Sequence, residues 1–291
     1  MTEYLYPRSI EEALQCLAAQ SGKARLIAGG TDVLPDIRKG IIRPSCLVDI
    51  TRIPILKEID VDDGFVTIGA AVTFAMIREH PSFHERVHAL VDAARSVGAG
   101  AIQNAATWVG NIVQAMPAAD GGIVAIALDA EARIVDCDGT RWQPVESLFR
   151  GPGVSAIDPR RQLVTHIRFP RPGRKTGTAW RRVGRRSALV LPILNCAVRV
   201  EIDGDARNLR VARAAIALGP VAPRPFRARE AEAFLQGRAL TENTMAVAGR
   251  VAQEEANPRT SLMRASREYR LAIIPTLVSE ALAEAGRLAV R

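Results

Sequence analysis

Leu26-Ile27-Ala28-Gly29-Gly30-Thr31-Asp32-Val33-Leu34 sets two glycines, a hydroxyl and an acid directly behind a short apolar run. Such a turn lets another group approach the backbone closely, because glycine has no Cβ to block it and reaches φ values that other residues avoid. Residues 25–28 read as the strand that enters the turn, 33–38 as one short helical turn behind it, and 46–50 as a second strand. Upstream, Ile10, Ala13, Leu14 and Leu17 fall at helical spacing, with Ser9 as N-cap and Glu12 completing a capping box. Residues 1–55 are therefore expected to form a first small α/β lobe.

Beyond Pro54 the pattern changes to period two. Residues 65–70 form a strand after the Asp62-Asp63-Gly64 turn, 73–79 and 83–97 read as helices, and Gly98-Ala99-Gly100 breaks the second. Thr107-Trp108-Val109-Gly110-Asn111 reads as a second glycine-containing turn, followed by a helix over 121–130 and a strand over 132–137. Residues 163–169 alternate and end at Pro170, as an edge strand does. The proline- and arginine-rich residues 171–175 mark the boundary, giving a second lobe over 56–170 and a C-terminal domain over 171–291. In the latter, strands over 194–201 and 210–218 flank an Asp203-Gly204-Asp205 turn, and helices follow over 226–235, 242–255 and 267–288.

The chain has 291 residues, 48% of them hydrophobic, and no apolar run approaches the ~20 residues that cross a bilayer. Its N-terminal stretch carries acids where a signal peptide would carry lysines, which points to the cytoplasm. Cys16, Cys46, Cys137 and Cys196 stand singly, without cluster or zinc spacing, and read as small buried apolar residues in a reducing compartment. His80, His84 and His88 follow an i, i+4, i+8 spacing, yet Pro81 interrupts it and no companion acid or cysteine stands at ligand spacing. They read as exposed helix histidines, and no metal site is expected.

The net charge of +8 is uneven, with acids in excess over residues 1–150 and bases in large excess after them. Arg168, Arg171, Arg174, Lys175, Arg181, Arg182, Arg185 and Arg186 succeed one another with no acid between. Aromatics are only 4% of the chain, no recognition-helix pattern flanks the segment, and glycines and prolines break it into loops. Nucleic acid is therefore not the expected partner. A solvated or partner-facing loop, or a site for an anionic cofactor, fits better.

The two glycine turns suggest converging amides around an anion such as a pyrophosphate. Neither is a G-x-G-x-x-G or G-x-x-x-x-G-K-[ST] fingerprint, so the usual nucleotide folds are not indicated. For Thr107 and Asn111 a second reading stands beside this one, in which they satisfy their own backbone. Asp120 likewise reads either as a ligand contact or as the N-cap of the following helix.

The run 26–40, then Cys46-Leu47-Val48-Asp49-Ile50, then Gln103-Asn104-Ala105-Ala106-Thr107-Trp108-Val109-Gly110-Asn111 with Pro117 and Asp120, resembles the flavoprotein subunit of the molybdenum hydroxylases, the xanthine dehydrogenase and carbon monoxide dehydrogenase family. The likeness continues through residues 179–186, 218–225 and 264–270, so it covers nearly the whole chain. It implies an α+β fold, with a two-lobed (PCMH-like) FAD-binding domain followed by a C-terminal α+β domain of antiparallel sheet and helices. By the same resemblance FAD is held by Ala28, Gly29, Gly30, Thr31, Asp32, Val33 and Leu34 and by Thr107, Gly110 and Asn111. Asp120 would meet its ribose or adenine end, Arg182 and Arg186 would add contacts, and the flavin would lie between the second and third lobes.

A large molybdopterin subunit and a small [2Fe–2S] subunit are the implied partners, and a dimer of heterotrimers is one assembly the resemblance suggests. This chain would pass electrons to NAD or another acceptor and carry no catalytic residue of its own. It departs from the family pattern at Val109 for the first glycine of the usual pair, Trp108 before it, Trp180 for tyrosine, Arg182 for lysine and Gln103 for arginine. Those departures motivate one alternative, a scaffold subunit that keeps the fold without FAD.

Overall fold

The computed structural model describes residues 2–186, 188–204 and 208–291. Asp205, expected in a turn with Asp203 and Gly204, lies outside the described residues. The first lobe runs β1 (Glu3–Leu5), α1 (Ile10–Ala19), β2 (Ala24–Ile27), α2 (Val33–Arg38) and β3 (Cys46–Asp49), its three strands parallel in the order β1-β3-β2. The capping expected of Ser9 is present: its hydroxyl accepts from the Glu12 N–H at 3.1 Å, while the Glu12 carboxylate reaches the N–H of Arg8.

The second lobe opens with β4 (Ile59–Val61) and β5 (Phe65–Gly69). Six short helices follow: α3 (Phe74–Glu79), α4 (Phe83–Arg86), α5 (His88–Ser96), α6 (Gly100–Ala105), α7 (Trp108–Val113) and α8 (Asp120–Ala127). Then come β6 (Glu131–Asp136), β7 (Gly139–Pro144), a β8/β9 hairpin (Phe149–Gly151, Val154–Ser155) and β10 (Leu163–Pro170). The sheet order is β4-β5-β10-β6-β7, so β10 is central and not the edge strand its proline suggested. Pro170 is tolerated because pairing with β6 ends at Arg168, two residues earlier, leaving only Phe65 of β5 opposite the proline.

The single helix expected over 83–97 is broken at Val87, whose φ of −119° and ψ of 46° interrupt the helical ladder. The hydroxyl of Thr178, from the third part of the chain, accepts the N–H of Ala89 at 3.1 Å and takes up a donor freed by the break. His80 accordingly closes α3, His84 lies in α4 and His88 opens α5. They do not share a helix face, and of the three only His84 is exposed.

The third part contains β11 (Thr176–Val183), β12 (Leu194–Asp203), β13 (Arg210–Gly219) and β14 (Phe226–Arg227), antiparallel in that order, then α9 (Arg229–Leu235), α10 (Glu242–Glu255) and α11 (Arg267–Ala289). Two readings are corrected here. Residues 176–183, taken as a basic loop, form a strand, and the segment expected as helix from 226 begins as a strand. A Cβ on Gly177 would lie 1.8 Å from the carbonyl oxygen of Ala285, so α11 rests on β11 backbone to backbone. Cys46 and Cys196 are buried as expected, but Cys16 is only half-buried and Cys137 is exposed in the tight β6–β7 turn; all four are free.

Helix α8 joins the parts. All eight of its residues are buried, and the core of the first two lobes extends across it to Trp180, Ala197 and Ala217 of the C-terminal sheet. Just past its end Asp129, at φ 54°, receives Arg199 (3.1 Å), Arg213 (2.9 Å) and Arg227 (2.6 Å) from β12, β13 and β14. Arg199 and Arg227 also donate to the carbonyls of Leu128 and Ile126, groups that a helix end leaves unpaired. Among the described residues no helix is long and apolar enough to cross a membrane.

Candidate functional site

A cavity of about 620 Å³ opens between the first and second lobes, within the range usual for small-molecule sites. Ala28, Gly29, Gly30, Thr31, Asp32 and Val33 line it from one side and Thr107, Gly110 and Asn111 from the other, so the two glycine segments, some eighty residues apart in sequence, do meet. Leu34 does not line it; its side chain packs where a Cβ on Gly30 would stand.

The glycine pair has an internal explanation. A Cβ on Gly29 would lie 1.9 Å from the carbonyl oxygen of Ala105, so it is the chain's own backbone, at the end of α6, that passes so close. Gly30 holds φ at 68°, the left-handed region that favours glycine. These two constraints turn the loop so that, among the described residues, the backbone N–H groups of Gly29, Gly30, Thr31 and Asp32 find no acceptor. Unpaired amides are costly when kept from water, and four in succession on a cavity wall form a cradle for oxyanions. The exposed Asp32 carboxylate likewise has no hydrogen-bond partner among the described residues; desolvation by the surrounding protein, and then the neighbouring Asp36 carboxylate, push its pKa above the usual range. An acceptor in that position suits a hydroxyl.

The second segment is not a loop but the start of α7. Thr107 is its N-cap, with the hydroxyl accepting from Gly110 N–H at 3.0 Å, and the Asn111 N–H is bonded to the Thr107 carbonyl. The own-backbone reading therefore holds for Thr107. Asn111 Oδ1 accepts from the Gly121 N–H at 3.0 Å, leaving its amide donors to the cavity side of the site. Trp108, fully buried, donates its indole N–H to the Gly121 carbonyl at 2.9 Å and meets Phe169 edge-on. The tryptophan thus ties α7 to α8 and does not enter the cavity, whereas Val109 lines it. Gln103 bonds the carbonyls of Arg95 and Val97 and accepts from Arg78, taking over a buried polar junction.

Asp120, Arg182 and Arg186 stand apart from this cavity. Asp120 is the first residue of α8, not its cap; its carboxylate accepts from Asn195 Nδ2 at 2.7 Å and Ser96 Oγ at 3.2 Å, with Arg182 Nε at 3.9 Å. Burial raises its pKa against the pull of Arg182 and Asn195. Arg182 and Arg186 line a second pocket with Ser96, Trp180 and Gly184, and the Trp180 indole N–H there has no partner. The two pockets adjoin in sequence at Ser96-Val97 and around Val190-Leu191, where Arg182 bonds the Val190 carbonyl and Leu191 lines the first cavity. Gln114, Ser155, Gln162 and Leu191 also line the first cavity and were not foreseen, because no glycine or motif marks them.

The remaining arginines of the basic stretch are dispersed into the fold. Arg168 pairs with Glu131 and lies 4.0 Å from the Trp142 ring centre, and Arg171 reaches the Asp62 carbonyl.

An α+β protein with a run of unbonded amides on the wall of a cavity between two lobes, and no G-x-G-x-x-G turn, has a candidate anion site outside the Rossmann framework. Residues 1–172 match the family described as FAD binding domain in molybdopterin dehydrogenase, and residues 179–285 match CO dehydrogenase flavoprotein C-terminal domain. The xanthine dehydrogenase FAD-binding subunit of Escherichia coli O157:H7 is 33% identical over 276 residues, covering 93% of this chain and 92% of that protein. The carbon monoxide dehydrogenase medium chain of Hydrogenophaga pseudoflava is 28% identical over 280 residues, 96% of this chain and 95% of its own. A solved structure of carbon monoxide dehydrogenase from the same organism, lacking the Mo-pyranopterin moiety of its cofactor, superimposes with a TM-score of 0.91 at 29% identity over 99% of this chain and 98% of that one. The chain belongs to the FAD-binding flavoprotein subunits of the molybdenum hydroxylase family, which are oxidoreductase subunits.

Proposed function

We propose that this chain holds one FAD non-covalently and carries electrons from the [2Fe–2S] clusters of a small partner subunit to an external acceptor, while a large molybdopterin subunit oxidises the organic substrate. The observation that carries the reading is the run of unbonded amides from Gly29 to Asp32 on the wall of the inter-lobe cavity. Bound FAD supplies the ability to take electrons singly and release them in pairs. The residues of this chain bind and orient. The amides of Gly29, Gly30, Thr31 and Asp32 take the pyrophosphate oxyanions, with Ala28 and Val33 forming the flanks of the loop. The Asp32 carboxylate accepts a ribose hydroxyl, and Asn111 donates from the opposite wall, where Thr107 and Gly110 keep α7 in place.

The second pocket would hold a further part of the cofactor, with the unpartnered Trp180 indole N–H and Arg186 as the donors and with Arg182 held in position by Asp120. Neither cavity-lining segment contains a histidine or cysteine to attach the flavin. In this reading residues 1–55 and 56–170 are the two lobes of the FAD domain and 171–291 the C-terminal domain, the assembly is a cytoplasmic dimer of heterotrimers, and no nucleic acid is bound.

The chain purified alone should be yellow, with about one FAD per chain, all of it released into the supernatant by acid precipitation. A preparation that stays colourless with added FAD overturns the binding proposal. Substrate oxidation by this chain alone, with FAD and an acceptor but no metal-bearing subunit, overturns the division of labour.

A further inference from the structure

The inter-lobe cavity continues from the amide cradle along β2, where Arg25 stands on its wall. This strand is at an edge of the first sheet and pairs only with β3. Arg25 is half-buried, and among the described residues its guanidinium makes no hydrogen bond and no ion pair. Burial lowers its pKa, and Asp36 opposes that from beyond contact distance. A cation that gives up part of its hydration and gains no partner in return is costly to the fold, and a ligand that brings acceptors offsets the cost.

The surroundings suit a flat, largely apolar group. Leu26, Ile157, Pro159 and Leu163 line the cavity, and the segment from 157 to 162 lies against the turn that leads into β2, since a Cβ on Gly22 would stand 3.4 Å from Arg160 Cδ. The polar side chains of that wall are already engaged. Gln162 donates to Asp136 at 2.9 Å and accepts the Asp158 N–H at 2.9 Å, and Ser155 accepts the Ile157 N–H at 3.2 Å. Of these lining groups Arg25 alone keeps a full set of donors. Asp36 acts on Asp32 as well as on Arg25, so the carboxylate assigned to a ribose and this arginine share one region of the cavity.

With the pyrophosphate on the amides from Gly29 to Asp32 and a ribose at Asp32, the base that follows that ribose comes to Arg25. The second pocket, formed by Ser96 of the middle lobe and Trp180, Arg182, Gly184 and Arg186 of the third part, is left for the other end of the cofactor. A guanidinium is planar, stacks on aromatic faces and donates to ring nitrogens in a fixed fork, and adenine offers both a face and nitrogen acceptors. We infer that Arg25 is a specificity residue of this site: it meets the adenine, so that the chain takes the dinucleotide FAD in preference to FMN, which ends at its phosphate. The inference rests on the reading of the chain as an FAD protein, and it names the side chain that tells FAD from the shorter flavin.

The test uses the full chain, freed of flavin and titrated with FAD, FMN and ADP; the flavins are followed by fluorescence and ADP by its displacement of FAD. Three forms are compared: the unaltered chain, R25M, which keeps much of the length without the charge, and R25K, which keeps the charge without the plane. The thermal midpoint reports whether each is folded. The unaltered chain is expected to bind FAD at least about tenfold more tightly than FMN. R25M should weaken FAD and ADP by at least about tenfold each while leaving FMN and the absorption spectrum of bound FAD unchanged, and R25K should recover only part of the loss. A folded R25M that holds FAD within about twofold of the unaltered chain overturns the inference. So does an equal loss of FAD and FMN, which would make Arg25 a general attractor of phosphate, or an R25K that matches the unaltered chain, which would leave no role for the planar group. Should R25M fail to fold, R25K and the preference of the unaltered chain decide, and FMN bound as tightly as FAD overturns the inference. An unaltered chain that binds no flavin at all overturns the FAD reading, and this inference with it.

Discussion

The turn at Gly29 and the carbonyl of Ala105 are in direct contact across the two lobes, so close that a Cβ on the glycine would stand 1.9 Å from the oxygen. The two lobes are thus set in register by backbone contact, and the register fixes where the amide cradle points. Gly29→Ala is expected to force the lobes apart, costing about 3 kcal/mol or more and removing FAD from the purified protein. Urea denaturation together with the flavin absorbance per chain checks both; an alanine variant of unchanged stability and colour would refute the account.

Gly30 answers to a different constraint and should respond differently. Its φ of 68° penalises most side chains by about 1–2 kcal/mol, while asparagine enters that region more readily. Gly30→Asn is therefore expected to keep most of its flavin and Gly30→Val to lose it, as the branched side chain would also press on Leu34 and Ile27. Equal loss in both variants would place the requirement in the space around the residue and not in its backbone angle.

Removing charge at Asp129 should loosen the C-terminal sheet. Arg199 and Arg227 are 7% exposed, so Asp129→Asn leaves two buried guanidinium groups short of a counter-charge while keeping a residue that tolerates the backbone angle. A loss on the order of 3 kcal/mol is expected, with Glu201 and Glu232 moderating it through their own bonds to the two arginines. Arg213→Ala, at a half-exposed position, should cost under about 1 kcal/mol. Chemical denaturation of the two variants side by side measures the contrast.

Acid should act on the cavity through Asp136. Hydrogen bonds from Arg141 and Gln162 hold its carboxyl down to about 2. Its contribution is therefore whole above the ordinary carboxylate range near ~4 and is lost as pH falls through about 2. Gln162 lines the cavity and its amide is fixed by this carboxylate at 2.9 Å. The stability gap between the unaltered chain and Asp136→Asn should be widest at pH 5–6 and close toward pH 2, as followed by denaturant titration at each pH. A gap independent of pH would show that the carboxylate charge is not what matters.

Much of the first lobe could be read from the chain because its signals are local. Ser9 and Glu12 mark a helix start, apolar spacing marks α1, and the glycine pair marks a turn. What escaped reading depends on distant partners. Nothing near Val87 announces a break that is matched by Thr178, and the arginines at 181 and 182 disguise a strand whose residues from Thr176 to Trp180 are all buried. Asp120 looked like a ligand contact or a cap. In the structure its carboxylate accepts from Asn195, seventy-five positions later, and sequence carries no mark of such a pairing. The glycine segments were legible as a site, but which amides stay unbonded is decided by Ala105 and by the N-cap at Thr107.

Helix α8 has an implication for how the polypeptide becomes a protein. Its Asp120 end is held by Asn195 and Arg182, its Asp129 end by three arginines of β12 to β14, and its wall by Trp180, Ala197 and Ala217. A ribosome that has released only the first 172 residues has therefore made a nascent piece whose central helix still shows apolar surface and whose two acids lack their cations. The boundary along which the family is divided is therefore not expected to be a boundary of cooperative folding, and the early segment is expected to close fully only once the last sheet has been made.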